Sequence, residues 1–223
     1  MTKIMNATLL HIDCMKYMAG LPDKAFDLAI VDPPYGIGFG EFNRTNRTST
    51  GKTIKADKYK NDKWDDAIPT DAYFEELRRA SVNQIVWGGN YFPALWGSGC
   101  KGFIYWHKGN PVPNFADGEL AWTSFNKVAK QFNYQYYGNL EGSSSASAKI
   151  HPTQKPVKLY EWLLTNYAKP GQRILDTHLG SGSSAIACNN LGFEMVGCEL
   201  DQDYYRAACA RVEQATKQER LFA

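Results

Sequence analysis

The sequence predicts an α/β protein built on a doubly wound, mostly parallel sheet. Three observations carry this. Apolar runs of strand length alternate with helical stretches along the chain. Two of these runs end in loops of distinct chemistry, Asp32-Pro33-Pro34-Tyr35 and the glycine-rich turn from Asp176 to Ala185. The chain has 223 residues, 43% hydrophobic and 22% charged, enough for a sizeable core and unlike a disordered or fibrous protein.

Residues 7–13 are apolar and read as the first strand, with a short helical stretch near residues 15–21 after it. DLAIV at 27–31 is the second strand. Prolines cannot continue a central strand, so Asp32 stands just past its carboxyl end. Residues 41–63 change character: they are polar, without period, and carry Arg44, Arg47, Lys52, Lys55, Lys58, Lys60 and Lys63. Against these stand Glu41, Asp57 and Asp62, a local charge of +4, which predicts a mobile basic loop.

Residues 71–82 read as a helix with Tyr73, Phe74 and Leu77 on its apolar face, followed by a strand at 84–87 that runs into Gly88-Gly89-Asn90. Strands follow at 103–106 and, as an edge strand, 120–125; GSSSASA at 142–148 is a flexible link. Pro156 opens a helix with a stripe of Leu159, Leu163 and Tyr167 and with Trp162 adjacent, and Pro170-Gly171 stops it. Then come a strand at 173–177, a helix at 183–191 ended by Gly192, a strand at 195–200 and an amphipathic helix at 202–218. No internal repeat is present.

Composition narrows the chemistry. Lys and Arg number 25 and Asp and Glu 23, so the net charge of +2 does not by itself indicate a polyanionic partner, and any basic surface is local. The 5 Cys are odd in number and form no CxxC pair, and the 4 His show no HExxH spacing. Neither a disulfide framework nor a metal site is expected. There is no apolar leader and no run of about 18 apolar residues, so neither a signal peptide nor a membrane span is expected. The expectation is a reduced, cytosolic protein.

The turn Asp176-Thr-His-Leu-Gly180-Ser181-Gly182-Ser183-Ser184-Ala185 follows a strand and opens a helix, the context of a cofactor loop. Glycine lets backbone approach a ligand closely. Glu199, at the end of the next strand, can accept ribose hydroxyls. Gly180, Gly182 and Ala185 also satisfy the dinucleotide fingerprint, which makes a nicotinamide-dependent oxidoreductase an alternative. Asp176 argues otherwise, because a carboxylate ahead of the loop repels a pyrophosphate and suits a cationic ammonium. S-adenosylmethionine has one, together with a ribose for Glu199.

Asp32-Pro33-Pro34-Tyr35 lies where open α/β sheets bind ligands. The exocyclic amine of adenine is conjugated into its ring and is a poor nucleophile. Asp32 and the Pro33 carbonyl can accept its two hydrogens and favour a more tetrahedral nitrogen. Pro34 stiffens the turn, and Tyr35 can stack on a flipped base.

Asp32-Pro-Pro-Tyr35, His151-Pro-Thr-Gln-Lys-Pro156, and Asp176 to Ser183 with Glu199 together resemble the amino-group DNA methyltransferases, adenine-N6 or cytosine-N4. The order resembles the beta-type, circularly permuted arrangement, in which the catalytic motif precedes the cofactor loop, and the resemblance covers nearly the whole chain. It implies a Rossmann-like methyltransferase sheet of seven strands with one antiparallel, S-adenosylmethionine as cofactor, double-stranded DNA as substrate and a flipped target base. It also implies a restriction-modification setting in a prokaryotic or phage-encoded, cytoplasmic enzyme. By the same resemblance, Asp32, Pro33, Pro34 and Tyr35 hold the target amine and base. Gly180, Ser181 and Gly182 approach the methionine part of the cofactor, Asp176 its ammonium, Glu199 its ribose and Asp13 its adenine amine. Thr153 and Lys155 face the methionine carboxylate; the alternative for Lys155 is a solvated helix start.

One departure is that the family commonly has Asp-Pro-Phe where this chain has Asp176-Thr177-His178, and His178 reads as a satisfied loop histidine. Asp before Pro-Pro resembles the adenine branch; cytosine-N4 methylation is the nearest alternative, and RNA is a further candidate substrate. Protein glutamine methylation fits poorly, because it uses Asn and the opposite motif order. The expectation is a single catalytic domain over 1–223, with 41–63 and 109–150 as DNA-contacting and target-recognition insertions. Arg44, Arg47, Lys52, Lys55, Lys58 and Lys60 would contact phosphates, and Asn110, Asn114 and Gln131 are candidates for base edges. Without a separate recognition domain, a short or degenerate target is expected, read by a monomer or a homodimer.

Overall fold

The computed structural model describes residues 1–38, 65–97, 99, 101–109, 116–136, 150–151 and 153–220. The strands are β1 (Thr2–Ile4), β2 (Ala7–His11), β3 (Phe26–Val31), β4 (Ser81–Trp87), β5 (Phe103–His107), β6 (Gly118–Thr123), β7 (Lys130–Asn133), β8 (Arg173–Asp176) and β9 (Glu194–Glu199). The helices are α1 (Cys14–Ala19), α2 (Asp71–Ala80), α3 (Val157–Tyr167), α4 (Ser183–Leu191) and α5 (Gln202–Arg220). All the strands among the described residues join one sheet in the order β1-β2-β9-β8-β3-β4-β6-β5-β7. Within it, β2-β9-β8-β3-β4-β6-β5 form the expected seven-stranded, doubly wound α/β sheet, in which β6 alone runs antiparallel. β1 adds an antiparallel edge beside β2, and β7 a parallel one beside β5.

Side-chain alternation explains why this sheet is covered on both faces. Leu28 and Ile30 of β3, Ile85 and Trp87 of β4 and Ile174 of β8 pack under α3, α4 and α5. Ala29, Val31, Val86 and Leu175 point the other way, onto α1, α2 and the turns at Phe92 and Leu95. Tyr73, Phe74 and Leu77 of α2, and Leu159, Leu163 and Tyr167 of α3, are buried as their spacing predicts. The small residues of α4 let it lie deep in the core, where nearly every side chain is buried. Truncating a core residue such as Leu28 to Ala would cost about 2–5 kcal/mol.

Two expectations change. The stretch expected as an edge strand at 120–125 is β6, an interior strand paired with both β4 and β5. The helix expected to reach residue 82 stops at Ala80, and β4 starts at once from Ser81. Ser81 takes extended backbone there and its hydroxyl donates to the Leu77 carbonyl at 2.6 Å, tying the junction. No described helix is long and apolar enough to cross a membrane. The expected basic loop at 41–63 and the link at 142–148 lie outside the described residues, as do Asn110 and Asn114.

Candidate active site

The carboxyl ends of β2, β9, β8, β3 and β4 share one edge of the sheet, and loops there supply the candidate residues. The last register pair between β3 and β4 is Val31 with Val86, after which Pro33 offers no N–H and the chain leaves the sheet. The departing loop is anchored by a residue not singled out in the sequence. The buried Asp65 carboxylate accepts from the backbone amides of Tyr35 at 2.7 Å and Gly36 at 3.0 Å.

Because β6 runs against its neighbours, its first residues arrive at this same edge. Glu119 therefore faces Asp32 from the start of a strand, while Asp32 comes from just beyond the end of one. Between them stands Lys155, whose side chain is only 3% exposed. Its ammonium lies 2.5 Å from Asp32 Oδ2, 3.1 Å from Glu119 Oε2 and 3.1 Å from Tyr35 Oη. Tyr35 Oη donates to Asp32 Oδ1 at 2.6 Å, and Lys108 pairs with Glu119 from the other side. The Tyr35 ring stacks on Tyr91, with centroids 5.1 Å apart and an interplanar angle of 15°.

Burial pushes the Asp32 carboxyl above the usual carboxylate range, against the pull of Lys155. Burial also opposes ionisation of Glu119, but Lys155 and Lys108 together hold it down to about 2. The same two carboxylates overcome burial at Lys155 and keep it cationic. Lys155 is thus not a solvated helix start: its partners here are the acids Asp32 and Glu119 of the chain itself.

Beside this cluster opens a cavity of about 500 Å³, lined by residues that include Asp13, Asp32, Thr153, Gly180, Ser181 and Glu199. Pro34 and Lys155 reach it as well, whereas Pro33, Tyr35, Asp176 and Gly182 are not part of its lining. Asp13 caps α1, accepting from the amides of Met15 at 2.7 Å and Lys16 at 3.3 Å. Glu199 accepts from the amides of Gly180 at 2.9 Å and Asp201 at 3.0 Å. Burial raises the Glu199 carboxyl above its ordinary value.

Gly182 has φ of +73° at the start of α4, and a Cβ on it would meet Val212 Cγ2 at 2.8 Å, so no side chain fits. Its neighbour Ser183 donates to the Lys155 carbonyl at 2.7 Å, joining the glycine loop to the lysine segment. Asp176 sits behind that loop, accepting from Ser184 Oγ at 2.5 Å and the His178 amide at 3.0 Å. Burial raises its carboxyl to about 7. His178 and His151 line the cavity, both lowered to about 4 by burial; the His178 ring packs edge-on against Tyr73, and its Nδ1 lies 2.9 Å from the Thr177 hydroxyl.

The donor set fits S-adenosylmethionine. Two carboxylates, Asp13 and Glu199, border the cavity and receive hydrogen bonds from backbone amides, leaving acceptor capacity for an amine and for ribose hydroxyls. Gly180, with φ of +50°, also lines the cavity, and a Cβ built on it would make ordinary contact with the His151 ring at 3.8 Å.

Comparison with known proteins agrees. The family model described as DNA methylase, of N6/N4 type, matches residues 83–210. The Type II methyltransferase M2.DpnII of Streptococcus pneumoniae is 25% identical over 245 aligned positions, covering 92% of this chain and 89% of the relative. M2.LlaDCHI of Lactococcus lactis subsp. cremoris is 25% identical over 247 positions, covering 93% and 89%. Among solved structures, M1.HpyAVI in complex with SAM has a TM-score of 0.57 at 21% identity, covering 92% of this chain and 99% of that one. The cytosine-N4-specific PvuII DNA methyltransferase has a TM-score of 0.60 at 12% identity, covering 95% and 90%. The chain therefore belongs to the N6/N4 DNA methylase family and is an S-adenosylmethionine-dependent DNA methyltransferase of the amino-group type.

Proposed function

We propose that this enzyme methylates N6 of adenine in double-stranded DNA, acting on a base turned out of the duplex. The observation that carries the reading is Asp32, a carboxylate at the border of the cofactor-sized cavity, oriented by the Tyr35 hydroxyl at 2.6 Å. Asp at this position, ahead of Pro-Pro, resembles the adenine branch of the family.

When bound, S-adenosylmethionine supplies an activated methyl group on sulfur. Asp32 and the Pro33 carbonyl accept the two hydrogens of the adenine amine and orient its nitrogen. Asp32, raised above the ordinary carboxylate range by burial, can take the proton that the amine gives up. Tyr35 and Tyr91 form the aromatic pair on which the base stacks, and Tyr91 is 40% exposed. Glu199 and Asp13 hold the ribose and adenine of the cofactor. Asp176, Thr153 and the Gly180 to Gly182 turn hold its methionine part. Residues 1–223 act as one catalytic unit; 41–63 and 109–150 supply phosphate and base contacts, as a monomer or a homodimer.

The direct test is methylation of unmethylated plasmid DNA with labelled cofactor, followed by digestion to nucleosides. N6-methyl-2′-deoxyadenosine is the expected product. N4-methyl-2′-deoxycytidine would replace this reading with the cytosine one.

A further inference from the structure

We infer that Glu119 is a positioning residue of the methyl-transfer site, acting on Asp32 through Lys155. The inference rests on the adenine-binding role of Asp32 proposed above.

The geometry that supports it is a chain of alternating charges: Lys108, Glu119, Lys155 and Asp32. Lys155 Nζ is shared between Asp32 at 2.5 Å and Glu119 at 3.1 Å. A carboxylate that must accept hydrogens from an amine cannot be bound wholly by an ammonium. With Glu119 drawing on the same ammonium, Lys155 neutralises Asp32 only in part. Glu119 is itself steadied by Lys108, so the pull on Lys155 is balanced from the far side. The Lys155 ammonium also lies 5.6 Å from the ring centroids of Trp87 and Tyr35, so it is walled in by aromatic faces as well as by acids.

The titratable groups around Asp32 come from every neighbouring element. Glu119 comes from β6, Lys108 follows β5, and Lys155, Tyr160 and His151 belong to α3 and the segment before it. Tyr35 is on Asp32's own loop, and Asp176 ends β8. Among them Glu119 is the acid that adds most to the raising of Asp32 after burial itself.

The sign of the effect follows. With Glu119 neutral, Lys155 and the released Lys108 both stabilise ionised Asp32, so Asp32 titrates at lower pH while its oxygens are bound more tightly by Lys155. With Lys108 neutral, the full charge of Glu119 acts on Lys155 and Asp32, and Asp32 titrates at higher pH.

The experiment measures single-turnover rates against pH with unmethylated plasmid DNA and tritiated S-adenosylmethionine, and cofactor affinity by calorimetry. Glu119→Gln is expected to slow turnover at least several-fold, leave cofactor affinity intact and move the acid limb down by roughly one pH unit. Glu119→Asp should keep the limb where it is, and Lys108→Met should move it up. A Glu119→Gln enzyme with wild-type rate and limb overturns the inference. So does one that is slower with an unmoved limb, because that is what a purely structural role produces. If Glu119→Gln fails to fold, as judged by its circular dichroism melt, Lys108→Met decides alone: an upward shift supports the inference and an unmoved limb overturns it. Asp32→Ala is the control. If it retains turnover, the adenine-binding role falls and the inference with it; if it is inactive and the limbs do not move, only the inference falls.

Discussion

The ring of Tyr35 occupies the space that any side chain on Gly88 would need. A Cβ at position 88 would lie 2.2 Å from Tyr35 Cε1 and 2.4 Å from Cδ1, and Gly88 has φ of +69° besides. Both constraints fall on the residue that follows β4, so the turn after one strand is shaped to the side chain of the loop after another. Gly88→Ala is expected to push the ring off Asp32 and Tyr91 and to lower turnover about tenfold or more through the broken hydrogen bond to a charged group. The left-handed backbone adds about 1–2 kcal/mol of destabilisation. Steady-state kinetics with a thermal melt checks this; unchanged kcat would mean that the placement of Tyr35 is immaterial.

Asp32→Ala is expected to abolish methyl transfer while cofactor affinity stays within a few fold, since Asp32 serves the acceptor amine. Radiolabel incorporation into DNA and cofactor calorimetry separate the two effects. Most of the turnover surviving would remove Asp32 from its role.

Glu199→Ala is expected to do the reverse. Losing a hydrogen bond to a buried charged group costs about 1.5–3 kcal/mol, or roughly ten- to a hundredfold in cofactor affinity. Calorimetry reads it directly, and an unchanged Kd would mean that another group holds the ribose.

Asp176 makes a prediction about pH. Its carboxyl is raised from 3.8 to about 7 in the folded protein, so between these values the folded chain keeps a proton that the unfolded chain releases. Its contribution to stability is complete below the lower value and is lost as pH rises through the upper one, with a slope approaching 1.4 kcal/mol per pH unit between them. Asp176→Asn should flatten that part of the stability curve in denaturant titrations. If the cofactor ammonium meets Asp176, binding near pH 6 also releases a proton, measurable by calorimetry in buffers of different ionisation enthalpy. No proton release in the wild type would place the ammonium elsewhere.

The basic segment at 41–63 predicts a salt effect from charge alone. Removing one cation that neutralises a DNA phosphate lowers the log–log slope of affinity against salt by about 0.9. Replacing Lys52, Lys55, Lys58 and Lys60 by Ala should flatten the slope without changing sequence preference, because phosphate binding carries no direct base information. Mapping methylated positions across a genome should show a short or degenerate target. A strict motif of about six or more base pairs read by a monomer would require more bidentate hydrogen bonding to base edges than this chain is expected to supply.

Much of the fold was legible because a central parallel strand announces itself as an apolar run, and most of its turns carry Pro or Gly. β1 and β7 were not, since Thr2-Lys3-Ile4 and Lys130-Gln131-Phe132-Asn133 are short and largely polar. At the site, Asp32, Glu199 and the glycine turn stand just past or at strand ends, where acids draw notice. Glu119 escaped because it begins a strand, and only the reversed direction of β6 brings it to the ligand edge. Asp65 and Tyr91 act through a backbone anchor and a ring stack, which leave no spacing in the sequence. Lys155 was legible as a site residue, but its partners were not, because they come from β6 and the loop after β3, far away along the chain.

The strand order also has a consequence for how the chain is made. β2 and β3 follow one another in sequence, yet β9 and β8 lie between them in the sheet. As the polypeptide leaves the ribosome, the acceptor loop after β3 exists long before its neighbour on one side has been synthesised. Until the final strands emerge and slot into the gap, β2 and β3 have no strand to join them, and the edge each turns toward the other stays open. Closing that gap depends on pairings distant in sequence, which form slowly. The nascent enzyme thus passes through a stage in which its acceptor loop has been made but its central sheet is split and its cofactor turn is still to come, and a chaperone that shields strand edges would raise the yield most during that interval.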